Sequence, residues 1–298
     1  MGGNCVRAAA REPGVLNSGC ARWTLFKVHR RAVDETLVRI LSGGYLAGMR
    51  IIGSGFLARN LAGQPGVHPG VTIYAAGPSG GDVSDADAFA RDAERLYATV
   101  AECRADGGRL VYLSTSSVGL YGRPGPLLRE SGPVFPCSAY GRHKLAMEAV
   151  VRASGVDHLI LRLAYPVGPH QPPHQVVPAL VAQVRTGRVG IRRGARRDLV
   201  DVAHVAAIVD SLLATGAASE VVNVASGTAV PVERIVAHIA DRLGLRPVST
   251  VVDVPEEAEI GIDRLRALVP EVVGYGFGPE YYRDVLDRYL PVAEAVGR

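Results

Sequence analysis

Lysine is almost absent from this chain of 298 residues: it occurs only as Lys27 and Lys144, and arginine supplies every other basic residue. No apolar run approaches the roughly 18–20 residues that a membrane span needs, so the sequence reads as a soluble, cytoplasmic protein with no membrane partner. The four cysteines (Cys5, Cys20, Cys103, Cys137) are scattered without metal or pairing spacing, as suits a reducing compartment. Histidine shows no ligand pattern either. His170 and His174 are four apart, but Pro172 and Pro173 between them exclude a helical metal pair, and no metal is expected. Internal repeats and low-complexity tracts are also missing. The net charge of +4 is a local excess: residues 1–48 hold seven basic and three acidic side chains, and residues 49–298 hold 26 of each. The body of the protein therefore lacks the basic field that a nucleic-acid partner would need.

What is present is most informative at Ser138-Ala139-Tyr140-Gly141-Arg142-His143-Lys144, where a tyrosine precedes a lysine by four residues. On a helix that spacing puts both side chains on one face, about 5–6 Å apart at Cβ. A phenol has an ordinary pKa near 10, and a fixed ammonium beside it favours the phenolate. Tyr140 and Lys144 thus read as a proton-transfer pair. A chain that avoids lysine and still uses it here needs a compact ammonium, which arginine cannot mimic. Upstream, the β-prone run Arg109–Leu113 leads into Ser114-Thr115-Ser116-Ser117 and then Tyr121-Gly122. A strand tipped with hydroxyls is where an α/β sheet presents groups to a ligand.

From Met49 onward, strand and helix patterns alternate, predicting an α/β, Rossmann-like doubly wound parallel sheet. Expected strands are Arg50–Ile52, Val71–Ala76, Arg109–Leu113 and His158–Leu163. Expected helices include 85–105, with a buried stripe of Phe89, Ala93, Leu96 and Val100, and later Val176–Val184, Val202–Leu213 and Val232–Leu243. Residues 1–48 read as an extension, disordered or upstream of the natural start, although Trp23–His29 and Arg31–Leu41 carry strand-like and helical spacing. Residues 49–164 read as the dinucleotide-binding domain. Residues 165–298 read as a smaller, mainly substrate-binding region, with a stretch near 199–225 returning to the sheet. At the first strand-to-helix turn, Gly53-x-Gly55 with Ala58 lets the backbone approach a pyrophosphate. Gly53, Gly55, Phe56 and Leu57 are therefore cofactor-binding candidates.

With these residues in view, the chain resembles the extended short-chain dehydrogenase/reductase family of nucleotide-sugar epimerases, dehydratases and ketoreductases. Besides the glycine turn and Tyr140/Lys144, the resemblance rests on Val71–Ala76, Leu161–Gly168, Arg197-Asp198-Leu-Val-Asp-Val202 and Val222-Asn223-Val-Ala-Ser-Gly227. It implies that Tyr140 is the acid/base and that Lys144 lowers its pKa and binds the nicotinamide ribose. Thr115 or Ser116 would polarise the carbonyl, and Ala75, Ala76 and Gly77 would line the cofactor. Ser117, Tyr165 and Arg197 would meet the substrate. NAD or NADP is the implied cofactor, with NAD favoured, and a homodimer is left open.

Three departures qualify the resemblance. The 4,6-dehydratases follow their catalytic threonine with Asp-Glu, whereas Ser116 and Ser117 stand here, so water elimination is not expected. Tyr165 replaces the uridine-contacting asparagine of the epimerases. Only about eight residues separate the first helix from Val71, too few for a second and third strand, since a single crossover takes a dozen or more. Those strands and the ribose-binding carboxylate of the second are expected to be missing. A right-handed step from the first strand straight to Val71 would move the first helix to the unusual face of the sheet. The function expected is an NAD(P)-dependent epimerase or ketoreductase acting on a nucleotide-activated deoxysugar, in keeping with bacterial secondary metabolism. The rivals are a non-catalytic regulatory dinucleotide-fold protein and an enzyme of this fold that runs a non-redox acid/base step.

Overall fold

The computed structural model describes residues 45–46, 48–63, 68–79, 85–122, 127–254 and 258–295. The strand and helix expected at Trp23–His29 and Arg31–Leu41 lie outside these residues. Strand β1 (Tyr45–Leu46) turns back antiparallel onto β2 (Met49–Ile52), which leads through helix α1 (Phe56–Leu61) to β3 (Val71–Tyr74). Helix α2 (Ala86–Asp106), β4 (Arg109–Thr115), the short α3 (Val118–Tyr121) and β5 (Leu127–Leu128) follow. Next come α4 (Ala139–Ala153), β6 (Asp157–Leu163), β7 (Tyr165–Val167) and α5 (Val176–Arg185). Strands β8 (Arg188–Arg193), β9 (Arg196–Arg197) and β10 (Leu199–Asp201) precede α6 (Val202–Ala214) and β11 (Glu220–Val224). The chain continues through β12 (Val230–Pro231), α7 (Val232–Leu243), β13 (Val248–Asp253), β14 (Glu259–Ile260), α8 (Asp263–Leu268) and α9 (Tyr281–Ala295).

The main sheet has the order β1-β2-β3-β4-β6-β11, parallel from β2 to β11. Its strands are near-continuous apolar runs because both faces are covered. Met49, Ile51, Ile73, Val111 and Leu113 join α1 and α6 in one core, while Tyr74, Leu110, Tyr112 and Ile160 join α2 and α4 in the other. A third core, including Val184, Ile235, Ile239, Tyr282 and Leu286, holds α5, α7 and α9 together. Among the described residues no helix is long and apolar enough to cross a membrane.

Among the described residues no second and third strands stand between α1 and β3, and β2 pairs in register with β3, Met49 opposite Val71 and Ile52 opposite Tyr74. Beyond β2, the described part of the sheet holds only the two residues of β1. The expectation of a right-handed first step is not met. The β2–α1–β3, β3–α2–β4 and β4–α4–β6 steps all advance in the same direction across the sheet. Helix α1, however, lies in the core opposite to that of α2 and α4, so the first connection has the opposite hand to the next two. Packing explains it: Ala58 and Leu61 of α1 are buried against the α6 side of the sheet, in a core that includes Val205 and Val209.

Helix α4 starts where Ser138 Oγ accepts the Gly141 amide at 2.9 Å, an N-cap. It can press onto α3 because residue 141 is glycine: a Cβ there would run into the Gly119 carbonyl. That close approach sets Tyr140 beside the end of β4.

Candidate active site

A cavity of about 600 Å³ opens at the carboxyl ends of the strands, where ligands bind in open α/β sheets. Phe56, Leu57, Ser79, Thr115, Ser117, Tyr140, Tyr165, Arg192 and Arg197 contribute to its wall. Tyr140 is 9% exposed, and burial, with Asp92 and Tyr165 adding to it, pushes its hydroxyl well above the ordinary phenol range. This corrects the expectation of a lowered pKa. The physical reason is where the lysine points. Lys144 is buried behind Tyr140, donates from Nζ to the Leu113 carbonyl at 3.1 Å and lies 5.9 Å from the Tyr140 ring centroid. It does not line the cavity. Burial pulls the Lys144 ammonium below its ordinary range, with Asp92 and Glu148 acting against that.

The hydroxyl cluster divides into four different roles. Ser114 Oγ donates to Glu148 Oε1 at 2.6 Å, and Thr115 Oγ1 accepts the Ser117 amide at 3.1 Å. The Ser116 amide continues the sheet ladder to the Leu163 carbonyl, and the residue faces a smaller cavity beside Arg196 and Asp198. Ser117 and Tyr165 line that smaller cavity too, and Ser116 Oγ is buried with no hydrogen-bond partner. Ser117 contributes to the same cavity wall as Tyr140, and its Oγ is likewise buried with no hydrogen-bond partner. An orphaned buried hydroxyl on a ligand cavity is a donor in want of an acceptor. Arg197 lies over the Tyr165 ring at 5.0 Å and donates to the Arg196 carbonyl at 2.7 Å.

Beneath the site lies a polar web that the sequence did not reveal. Glu148, fully buried, accepts from Arg162 through both oxygens (3.0 and 2.8 Å) and from Arg152 at 2.6 Å. Arg162 also donates to Tyr121 Oη at 3.0 Å, and that hydroxyl donates to Asn223 Oδ1 at 2.7 Å. Burial opposes the Arg162 charge, but Glu148 outweighs it and raises the pKa. The web ties α4, β6, α3 and β11 together. Tyr121, Asn223 and the segment holding Arg162 were visible in the sequence only as pieces of the family resemblance, with nothing to say that they meet Glu148.

Asp198 is a second buried anchor. Its two carboxylate oxygens separately accept the Ser226 amide at 2.8 Å and the Gly227 amide at 2.9 Å. Burial pushes the carboxyl up to about 7, against these amides, which favour the ionised form. Asp198→Asn turns one acceptor into a donor facing a buried amide. It should cost about 1–3 kcal/mol, read as a lower thermal midpoint; an unchanged midpoint would mean that the second bond contributes nothing.

On the cofactor side, Gly53 has φ of +131°, and a Cβ there would lie 2.6 Å from the Ala75 carbonyl oxygen. Only glycine suits that turn. A Cβ on Gly55 would meet nothing within 4 Å, so open space stands over the backbone where a phosphate would approach. Phe56 and Leu57 extend from this turn into the cavity, whereas Gly53, Gly55, Ala75, Ala76 and Gly77 are not on its wall. Gly77 is instead covered by Lys144, whose Nζ would lie 2.7 Å from a Cβ at that position. The residues present therefore fit the nicotinamide and phosphate half of a dinucleotide. For the adenosine half, the strands that would carry it are missing among the described residues. No group of three or more potential metal ligands occurs among them.

Comparison with known proteins gives the family. A family model described as "NAD dependent epimerase/dehydratase family" matches residues 62–225, over half of the chain. A curated protein of Kitasatospora kifunensis, dTDP-6-deoxy-L-talose 4-dehydrogenase (NAD(P)(+)), is 34% identical over 177 residues, covering 55% of each protein. The chain thus aligns with about half the length of that relative. Two solved structures share the fold. One is RMD from Pseudomonas aeruginosa complexed with NADPH (TM-score 0.67, 21% identity, 84% of this chain and 100% of that one). The other is UDP-glucuronic acid 4-epimerase from Bacillus cereus with UDP-glucuronic acid and NAD (TM-score 0.64, 18% identity, 76% of each chain).

Proposed function

This chain belongs to the NAD dependent epimerase/dehydratase family, within the extended short-chain dehydrogenase/reductases, and from that premise we propose that it is an NAD(P)-dependent ketoreductase, or in reverse a dehydrogenase, of a nucleotide-activated deoxysugar. The observation that carries the reading is Tyr140 and Ser117, whose hydroxyl is unpartnered, on one cavity wall, with Lys144 buried behind them. Tyr140 stays protonated at neutral pH, because burial raises its pKa. It carries the proton a general acid needs and can hand it to a carbonyl oxygen as negative charge develops there, although burial makes it a weaker donor than a free phenol. Ser117 donates a hydrogen bond to the same oxygen and stabilises that charge. Thr115 fixes Ser117 by accepting its amide. Lys144, its Nζ 5.9 Å from the ring centroid, would set a positive charge against the phenolate left when the proton goes, offsetting part of the burial that dominates the resting hydroxyl. When bound, the reduced nicotinamide supplies the hydride.

Phe56 and Leu57 would flank the cofactor, with Gly53 and Gly55 giving its phosphates room. Arg192 and Arg197, on the cavity wall, would face the diphosphate of the substrate, with Tyr165 as a stacking surface. A sugar nucleotide is also what the Kitasatospora relative is named for.

Net reduction fits this chain better than epimerisation. An epimerase keeps one dinucleotide bound while hydride leaves and returns, which demands a grip on both halves. Here the adenosine side of the described sheet ends in the two residues of β1, which suits a cofactor that exchanges every turnover. Among the described residues no second strand carries a ribose-selecting carboxylate, and NAD and NADP are both kept in the proposal. We extend the proposal to the organisation of the chain, with residues 49–164 binding the dinucleotide and much of 165–298 shaping the substrate side.

Gly55→Val tests the cofactor assignment. Valine would fill the open space over the turn, so titration calorimetry with NADPH and NADH should show binding lost in the variant while the fold, by circular dichroism, is kept. Unchanged affinity would mean that the turn is merely structural.

A further inference from the structure

Lys144 is a buried ammonium, 4% exposed, with one neutral acceptor, the Leu113 carbonyl. A charge in that position needs a counter-charge close by. The charged and titratable groups around it are Asp92 from α2, Tyr112 from β4, and Tyr140 and Glu148 from its own helix, with His143 next to it in sequence and bound to Asp92. Glu148 is already committed, since Arg162, Arg152 and Ser114 occupy its oxygens. Tyr112 and Tyr140 are neutral, as burial raises both. Asp92 is left.

Asp92 is 4% exposed, and its oxygens are held from two sides: Oδ1 by the Tyr74 hydroxyl at 2.7 Å and Oδ2 by His143 Nε2 at 2.7 Å. The His143 ring is itself fixed by stacking on Phe89 at 4.5 Å. A Cβ at Gly77 would lie 2.7 Å from Lys144 Nζ and 3.4 Å from Asp92 Oδ1, which puts carboxylate and ammonium within about 6 Å of each other. Glycine at 77 leaves the space between them free of a side chain. Burial works against the Asp92 charge, yet His143, Lys144 and Tyr74 together hold its carboxyl below the ordinary range.

We propose that Asp92, fixed by Tyr74 and His143, is the counter-charge that keeps Lys144 an ammonium, and is therefore a positioning residue for proton transfer at Tyr140. This rests on the reading of Tyr140 given above. The role is indirect: Asp92 is not on the cavity wall and acts through the charge of Lys144. It also explains a local pattern, a histidine placed immediately before Lys144, where it reaches the carboxylate that serves that lysine.

The test reads the lysine itself and needs no substrate. Because the chain contains only Lys27 and Lys144, protein labelled with ¹³C at the lysine ε-carbon gives two ε-methylene signals, assigned with Lys27→Arg. In the unsubstituted full chain, the Lys144 signal should be that of an ammonium at neutral pH; a neutral amine there would overturn the proposal. In Asp92→Asn, which preserves shape, the Lys144 midpoint should fall by about one to three pH units, the usual effect of losing an opposite charge at this range, while Lys27 stays put. Gly77→Ala, which wedges a methyl against Nζ, should lower it as well and serves if Asp92→Asn does not fold. A Lys144 midpoint unmoved in folded Asp92→Asn, with a shift of the His143 ring signals instead, would mean that Asp92 is paired with His143 alone and would overturn the proposal. Because the readout is a titration, a failure here leaves the Tyr140 assignment standing, and loss of that assignment leaves this measurement intact.

Discussion

Replacing Tyr140 with phenylalanine should lower ketone reduction by about 10²–10⁴-fold, the usual share of general acid–base catalysis, while dinucleotide affinity and the thermal midpoint stay unchanged. The ring of Tyr140 is buried at the start of α4 and phenylalanine keeps that packing, so only the proton is removed. Steady-state turnover with a nucleotide-linked 4-keto-6-deoxyhexose and NADPH is the measurement. Full turnover in a folded variant would show that the proton comes from elsewhere and would return the non-redox and regulatory readings to the front. The companion Ser117→Ala should also lower turnover, by removing a donor to the same oxygen, whereas Ser116→Ala, facing the other cavity, should not.

Glu148→Ala is expected to have the largest effect on stability. The substitution leaves Arg162, 2% exposed, as a buried guanidinium without its carboxylate, and it strands the Ser114 hydroxyl as well. Breaking a buried ion pair from one side costs about 3–5 kcal/mol, which for a domain of this size is a fall in thermal midpoint of about 10 °C. The partly exposed end of the network behaves differently. Arg152 is 46% exposed in its side chain, so Arg152→Ala should cost at most about 1 kcal/mol. Calorimetric or fluorescence melts of the two variants compare the costs directly, and equal losses would contradict the view that burial sets the cost.

The sequence carried those features that repeat along the chain or count residues. Tyr140 and Lys144 were legible because helical spacing is local, and the missing strands were legible because eight residues cannot hold them. The hydroxyl cluster was legible as a group but not member by member. After Thr115 the chain leaves the strand, and only the turn into α3 decides that Ser117, and not Ser116, contributes to the cavity that Tyr140 lines. The direction of the Tyr140 shift was misread, because a shared helix face says nothing of depth. Lys144 turned out to reach inward to Leu113, leaving burial to dominate. Asp92 was hidden for a similar reason: it lies 52 residues from Lys144 in sequence, and only the packing of α2 against α4 brings them together. The hand of the first crossover followed from which core accepts Ala58 and Leu61, a matter of tertiary packing with no local signature.

The central claim, reduction of a sugar carbonyl by a bound nicotinamide with Tyr140 as the acid, is tested most directly by following the hydride. The full chain is incubated with NADPH deuterated at C4 of the nicotinamide and a nucleotide-linked 4-keto-6-deoxyhexose, and the sugar nucleotide is analysed by mass spectrometry. The account predicts one deuterium in the product sugar for each NADPH oxidised, and neither event in Tyr140→Phe. An altered sugar that carries no deuterium, formed while the NADPH remains reduced, would contradict it.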